Sequence, residues 1–244
     1  MSHATETMPE PVFIPAAGRH GLTSLYDPII ALTMRERTFR SRLVAQVAAD
    51  NPTTVLEIGC GTGSLTARLA HALPDASVTG LDPDADVLAR ARAKATASGT
   101  HWQEGTATQL PMPDQSVDRV VASLVLHHLT DTEKRSALAE AYRVVLPGGR
   151  LHVADWGAPQ DTLMKAAFLA LRTLDGFERT RAHARGELPD LIAQAGFSDV
   201  RVRDRLRTGW GTLELLSAER PRYMHGAQAI SEIPGDVPPR GLAA

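Results

Sequence analysis

Hydrophobic and polar positions divide the chain into short, regular segments. From Thr33 to Asp50, Phe39, Leu43, Val44 and Val47 recur at helical spacing with arginines between them, so a helix is predicted that Asn51-Pro52 ends. An alternation of apolar runs and amphipathic segments follows. Thr54–Ile58 reads as a buried strand running into glycines, and Ser64–Leu73 as a helix stopped by Pro74. Ser77–Leu81 is a second strand, ending at Asp82, and Asp84–Ala97 an alanine-rich helix before Gly99. His101–Glu104 reads as a third strand, Asp118–Leu124 as a fourth, and Arg150–Ala154 as a fifth. Between the last two, Thr132–Leu146 reads as a helix stopped by Pro147-Gly148-Gly149.

Strands and helices alternating at this spacing imply βαβ crossovers. The expected fold class is α/β, a doubly wound, mostly parallel sheet with helices on both faces. Ligands of such sheets sit beyond the carboxyl ends of the strands, which directs attention to the loops after Ile58, Leu81, Glu104, Leu124 and Ala154. Past Asp155 the pattern changes. Leu163–Leu174 and Leu188–Ala195 read as helices, separated by a polar stretch with Arg179, Arg181 and Arg185. Val200–Leu206 and Leu213–Ser217, joined by Thr208-Gly209-Trp210-Gly211, read as a C-terminal antiparallel hairpin at the sheet edge. Residues 1–32 show no clear period and are expected to form an arm and lid. Residues 33–220 form the main domain, and the Pro- and Gly-rich residues 221–244 a flexible tail.

Composition narrows the possibilities. The 244 residues carry 26 Lys and Arg against 28 Asp and Glu, so no overall basic field gathers nucleic acid. The single cysteine, Cys60, rules out an internal disulfide framework and any zinc site built on several thiolates. No metal-ligating set is read from the sequence. Met1–Glu10 lacks an apolar core for a secretory signal, and no run reaches the length of a membrane helix. The expectation is a soluble, cytoplasmic protein without an integral membrane segment, monomeric or homodimeric. Arg201, Arg203, Arg205 and Arg207 share one strand face, but no aromatics interleave with them as a nucleic-acid platform requires. A charged, solvated edge is the expectation there, with Asp204 an odd acid on the apolar side.

Glu57-Ile58-Gly59-Cys60-Gly61-Thr62-Gly63 carries the most information. A buried strand enters a turn with three glycines and opens a helix, so backbone can approach a ligand and free N–H groups face it. The dinucleotide fingerprint G-x-G-x-x-G fails, because its third glycine position falls on Ser64. Glu57 would repel a pyrophosphate but attract a cation. A ligand with an ammonium, a sulfonium and no phosphate fits, and S-adenosylmethionine is such a ligand. Asp82, 21 residues beyond Gly61, can accept two ribose hydroxyls, or cap the following helix, or do both. Cys60 reads as a small packing residue within the loop.

These residues resemble the class I S-adenosylmethionine-dependent methyltransferases. Glu57–Gly63 resembles that family's first motif and Gly80-Leu81-Asp82 its second. Leu110–Asp118 and Leu146–Leu151 resemble the segments leading into its fourth and fifth strands. The flavour is that of the ubiquinone/menaquinone-biosynthesis group, which includes many small-molecule methyltransferases. The resemblance implies a Rossmann-like, seven-stranded sheet with the last strand inserted between the fifth and sixth. It also implies S-adenosyl-L-methionine as cofactor, and a cofactor site of Tyr26, Glu57, Gly59, Cys60, Gly61, Gly63, Asp82, Pro83, Thr106, Ala107, Ser123 and Leu124. One departure stands out: Thr106 follows Gly105 where the family usually has an acid facing the adenine amino group, leaving a neutral, weaker acceptor.

The acceptor is less legible. His127, His128 and Asp155 are the candidate catalytic residues, placed after the fourth and fifth strands where a proton acceptor or its orienting acid would sit. Met164, Phe168, Leu171 and Phe177 would wall an apolar pocket if their helix covers the site. The expected activity is methyl transfer to a small apolar or aromatic molecule. A non-catalytic S-adenosylmethionine-binding protein and an NAD(P)-dependent oxidoreductase are the alternatives.

Overall fold

The computed structural model describes residues 34–94 and 99–222. The expected arm with Tyr26, the end of the helix expected over Asp84–Ala97 and nearly all of the expected tail lie outside them. Helix α1 (Glu36–Ala48) precedes β1 (Thr54–Ile58), α2 (Ser64–Ala72), β2 (Ser77–Asp82), α3 (Ala85–Lys94) and β3 (Thr100–Glu104). Then come β4 (Val117–Ser123), a 3-10 turn (Leu126–His128), α4 (Asp131–Val144) and β5 (Val145–Trp156). The chain continues with α5 (Thr162–Asp175), α6 (Arg181–Arg185), α7 (Leu188–Gln194), β6 (Ser198–Thr208) and β7 (Gly211–Glu219).

The strands form one seven-stranded sheet in the order β3-β2-β1-β4-β5-β7-β6. Strands β1 to β5 run parallel, whereas β7 lies antiparallel between β5 and β6. The sheet is therefore doubly wound with a C-terminal antiparallel hairpin, and strand order reverses between β1 and β4. Period-two alternation divides the core. Leu56, Ile58, Val120, Ala122, Leu151 and Val153 face one side, against Leu138 of α4 and Ile192 of α7. Val55, Val121, Trp156 and Leu215 face the other, against Phe39 and Leu43 of α1, Leu69 of α2 and Phe168 of α5. Asp118 pins the amino ends of β1 and β4 together, its Oδ2 accepting from the backbone N–H of Thr53 and Thr54 at 2.8 and 2.9 Å.

Two segments differ from the sequence reading. Helix α4 ends at Val144 rather than Leu146, and Pro147-Gly148-Gly149 belongs to β5. Arg220 is the reason: its guanidinium donates to the carbonyls of Tyr142, Arg143 and Val145, satisfying the helix end. Gly149 lets this stretch pass β4, since a Cβ there would lie 2.7 Å from the Asp118 carbonyl oxygen. The polar stretch around Arg181 contains α6, whose buried side is only Ala182 and His183, too little to show as a period. No helix among the described residues is long and apolar enough to cross a membrane.

The β6 arginines lie on the exposed face, as the alternation implied. They are committed to internal partners: Arg205 to Glu214 at 2.8 Å, Arg207 to Asp161, and Arg201 and Arg203 to Asp199. Asp204 is explained by Arg42 of α1, with which it pairs.

Candidate functional site

The carboxyl ends of β1, β2 and β4 bring the glycine turn, Asp82 and the Ser123-Leu124 corner together. The turn's glycines have different tasks. All three take positive φ, +66° at Gly59, +53° at Gly61 and +75° at Gly63, which L side chains adopt at a cost. A Cβ at Gly59 would lie 2.3 Å from Val125, and one at Gly63 2.3 Å from Trp102, so these two serve close packing. At Gly61 a Cβ would meet no described atom within 4 Å. Gly61 is thus where bare backbone borders free space.

Asp82 ties the turn to β2. Its Oδ2 accepts from the Gly61 N–H at 2.9 Å and its Oδ1 from the Asp84 N–H at 3.0 Å. The helix cap anticipated for Asp82 belongs to Asp84, whose Oδ1 accepts from the N–H groups of Asp86 and Val87 at 2.9 and 3.1 Å. Two N–H groups occupy about half the acceptor capacity of the Asp82 carboxylate, so two hydroxyls can still be accepted. Burial raises the Asp82 carboxyl above its ordinary range, partly offset by those two bonds. Pro83 follows directly. Gly105 donates its N–H to the Asp82 carbonyl at 3.2 Å, which brings Thr106 and Ala107 to the same edge, with Thr106 exposed.

Glu57 sits deeper than its sequence position suggested. It is 2% exposed, and the Thr66 hydroxyl donates to its Oε2 at 2.5 Å. Burial pushes its carboxyl up to about 8, so the standing negative charge expected of it is absent at neutral pH unless a cation arrives. Cys60 is buried in the loop, its thiol pushed far up by burial and by Glu57, which suits a packing residue rather than a nucleophile. Leu124 adopts φ +58°, rare for a branched side chain, with its N–H held by the Ala154 carbonyl at 2.8 Å. That corner turns the chain from β4 into Leu126–His128.

The three candidate catalytic residues form one cluster. Asp155 is fully buried at the end of β5. Its Oδ1 pairs with His127 Nδ1 at 2.8 Å and accepts from the Trp156 N–H at 2.8 Å, while Oδ2 accepts from the Leu126 N–H at 2.8 Å. Burial acts to raise Asp155, yet His127 and these bonds hold it well below the usual carboxylate range. The His127 and His128 rings lie 4.0 Å apart between centroids, and burial together with His127 pushes His128 down to about 3. Sequence reasoning missed three neighbours. Asp175, at the end of α5, lies 3.7 Å from His127 Nε2 through its Oδ2. His183 of α6 is fully buried with Nε2 3.9 Å from Asp155 Oδ1. Lys134 of α4, also fully buried, donates to the carbonyls of Leu129 and Arg179, both at 2.6 Å. It thereby staples the histidine turn to the segment that follows Asp175. Asp175 left a faint signal, since an acid at a helix C-terminus opposes the helix dipole; a lone buried His183 or Lys134 left none.

The proposed apolar wall is only partly formed. Met164, Phe168 and Leu171 are buried in the core beneath α5, Phe168 lying 6.1 Å from the Trp156 ring. Phe177 is 51% exposed and lies under the Arg172 guanidinium, 4.7 Å from its ring centroid. Core packing, rather than a pocket, accounts for the first three.

A family model described as a methyltransferase domain matches residues 55–149. Residues 55–149 are therefore similar to methyltransferase domains. Among the chain's relatives, the ubiquinone/menaquinone biosynthesis C-methyltransferase UbiE of Desulfotalea psychrophila is 29% identical over 213 residues, 80% of this chain and 84% of that one. The demethylmenaquinone methyltransferase of Deinococcus radiodurans is 33% identical over 135 residues. That match covers 54% of this chain and 55% of the relative, so the chain spans little more than half its length. The fold also resembles the magnesium protoporphyrin IX methyltransferase structure from Synechocystis, solved with S-adenosylhomocysteine, at 22% identity and a TM-score of 0.64. That likeness covers 83% of this chain and 90% of the other.

Proposed function

We propose that the protein transfers a methyl group from S-adenosylmethionine to a small aromatic acceptor, a quinol-type ring being the first class to test given what the Desulfotalea and Deinococcus relatives are named for. The single observation that carries this reading is the free space bordering the Gly61 backbone beside an Asp82 carboxylate with acceptor capacity to spare. That cradle fits a nucleoside sugar without a phosphate. When bound, S-adenosylmethionine supplies an electrophilic methyl group on a sulfonium. The residues of this chain then bind and orient. Asp82 holds the ribose hydroxyls, and Gly59, Gly61 and Gly63 give the turn its shape. Cys60 and Pro83 pack beside it, and Ser123 and Leu124 form the wall toward β4. Thr106 and Ala107 border the base, with backbone groups carrying most of its recognition. Glu57 becomes ionised beside the cationic end. Tyr26, expected to close the site, lies outside the described residues.

On the acceptor side, Asp155 is a positioning residue. Its bonds to His127, Leu126 and Trp156 leave it no proton to take up near neutral pH, and they fix the His127 ring so that Nε2 is the nitrogen left to act. Proximity and alignment supply most of the rate in such a displacement.

Calorimetric titration with S-adenosylhomocysteine tests the cofactor site. Binding is expected for the wild type, and Asp82→Ala should lose about 1–3 kcal/mol of it, a 5- to 150-fold weaker Kd. Equal affinity in the variant removes Asp82 from the site. NAD(P) binding in its place would restore the oxidoreductase reading. Methylation of hydroquinone acceptors is the second assay, and cofactor binding without turnover on any acceptor class favours the non-catalytic alternative.

A further inference from the structure

We propose that His127, His128 and Asp175 bind a divalent transition-metal ion, of the zinc, iron(II) or cobalt(II) class, on the acceptor side of the domain. One potential ligand atom from each residue lies within 4.8 Å of the other two. His127 Nε2 and Asp175 Oδ2 are 3.7 Å apart, too far for a good hydrogen bond. Two ligands of one tetrahedral ion, each about 2.0–2.2 Å from the metal, lie about 3.3–3.6 Å from each other. The pair is thus close to the separation a shared cation sets, and a ring nitrogen of His128 completes a set whose ligand atoms all lie within 4.8 Å of one another.

The surroundings are those of a metal ligand rather than of a free imidazole. The second nitrogen of His127 is engaged by the buried Asp155 carboxylate at 2.8 Å. A carboxylate on one imidazole nitrogen fixes the tautomer and leaves the other nitrogen's lone pair to a metal. That other nitrogen, Nε2, faces the second carboxylate, Asp175, at 3.7 Å. The three groups come from different parts of the fold: the histidines from the 3-10 turn after β4, and Asp175 from the last residue of α5. Lys134 joins these parts through the Leu129 and Arg179 carbonyls, so the spacing is set by a buried strut rather than by chance contact of exposed side chains. Its ammonium is turned to those carbonyls, with Asp131 3.6 Å away.

Two imidazoles and one carboxylate suit borderline ions over magnesium or calcium, which prefer all-oxygen sets. Three protein ligands leave at least one position open, which takes water or an oxygen of an acceptor. This proposal does not depend on the cofactor reading, because metal and S-adenosylhomocysteine binding are measured separately.

The test is equilibrium dialysis of the untagged, full-length protein against zinc chloride and, separately, cobalt(II) chloride, with metal content by mass spectrometry and the cobalt visible spectrum. One equivalent should bind with a Kd in the micromolar range or tighter, with nitrogen-ligated cobalt bands. His128→Ala and Asp175→Asn should each weaken binding at least 10-fold, and Asp155→Asn 10- to 100-fold through His127. Folding of each variant is checked by circular dichroism, and His71→Ala, remote from the cluster, should change nothing. If a substitution unfolds the protein, Asp175→Glu, which retains a carboxylate, replaces it and should keep at least part of the affinity. The proposal is overturned if no stoichiometric ion binds, or if binding survives His128→Ala and Asp175→Asn unchanged. Retained S-adenosylhomocysteine binding in metal-deficient variants shows that the cofactor site stands apart from this one.

Discussion

Replacing Glu57 by Gln should invert the pH dependence of this protein's stability on the neutral side. Glu57 is buried on β1 beside Thr66, and burial pushes its carboxyl from an ordinary value of 4.5 to about 8. The folded state therefore holds a proton that the unfolded state has released across that interval. Stability is fully present below about pH 4.5 and is lost as pH rises through about 8. With each pKa unit equivalent to about 1.4 kcal/mol, the loss has a ceiling of roughly 5 kcal/mol; local relaxation and water entry reduce it to about 2–4 kcal/mol. Gln keeps an oxygen for the Thr66 hydroxyl and cannot ionise. Urea unfolding at intervals from pH 5 to 9 should show the wild type falling relative to Gln as pH rises. Three histidines, two buried and one half-buried, act in the opposite sense. His128, His152 and His183 are pushed down to about 3, 3 and 4, so each costs stability as pH falls below about 6.5. Both proteins share them, and the difference between the two curves isolates Glu57. A difference flat to within about 0.5 kcal/mol over the whole range would refute the reasoning, since it exceeds the mutational noise of such curves. The same carboxyl links to the cofactor. A cation beside it draws off the proton, so S-adenosylhomocysteine binding at pH 7 should release a proton in the wild type and none in Gln, read by calorimetry in buffers of different ionisation enthalpy.

Gly61→Ala and Gly63→Ala should separate two tasks of one turn. Gly61→Ala meets no described neighbour and should cost about 1 kcal/mol through its positive φ while weakening cofactor binding; Gly63→Ala adds the clash with Trp102 and should cost about 2 kcal/mol or more in thermal unfolding. Lys134→Met removes the donor to the Leu129 and Arg179 carbonyls and should destabilise by about 2–4 kcal/mol, with faster hydrogen exchange in the segment after α5. His152→Leu replaces a buried ring whose nitrogens find no hydrogen-bond partner among the described residues. It should raise stability by about 1 kcal/mol, and more at pH 5 than at pH 7, because the wild type gives up a proton-binding site on folding. A variant less stable than wild type at pH 5 would contradict that account.

Local chemistry made much of this molecule readable from its residues. Short continuous apolar runs along Thr54–Ile58 and Asp118–Leu124 marked buried strands, because a strand covered on both faces needs apolar side chains in both directions. The glycine turn and Asp82 were legible because positive φ and acceptor capacity are properties of the residues themselves. Tertiary structure decided matters that depend on neighbours remote in the chain. Arg220 chose where α4 ends, and Arg42 made a place for Asp204. Packing against Trp102 and Val125 divided the roles of Gly63 and Gly59 from that of Gly61, which spacing alone treats alike. Burial, which no single side chain encodes, turned Glu57 from an expected anion into a proton carrier, while His127 and the hydrogen bonds it makes kept Asp155 ionised against that same burial. The meeting of His127 and His128 with Asp175 belongs to the same class, since it required α5 to fold back across the end of β4 and a buried lysine to hold it there.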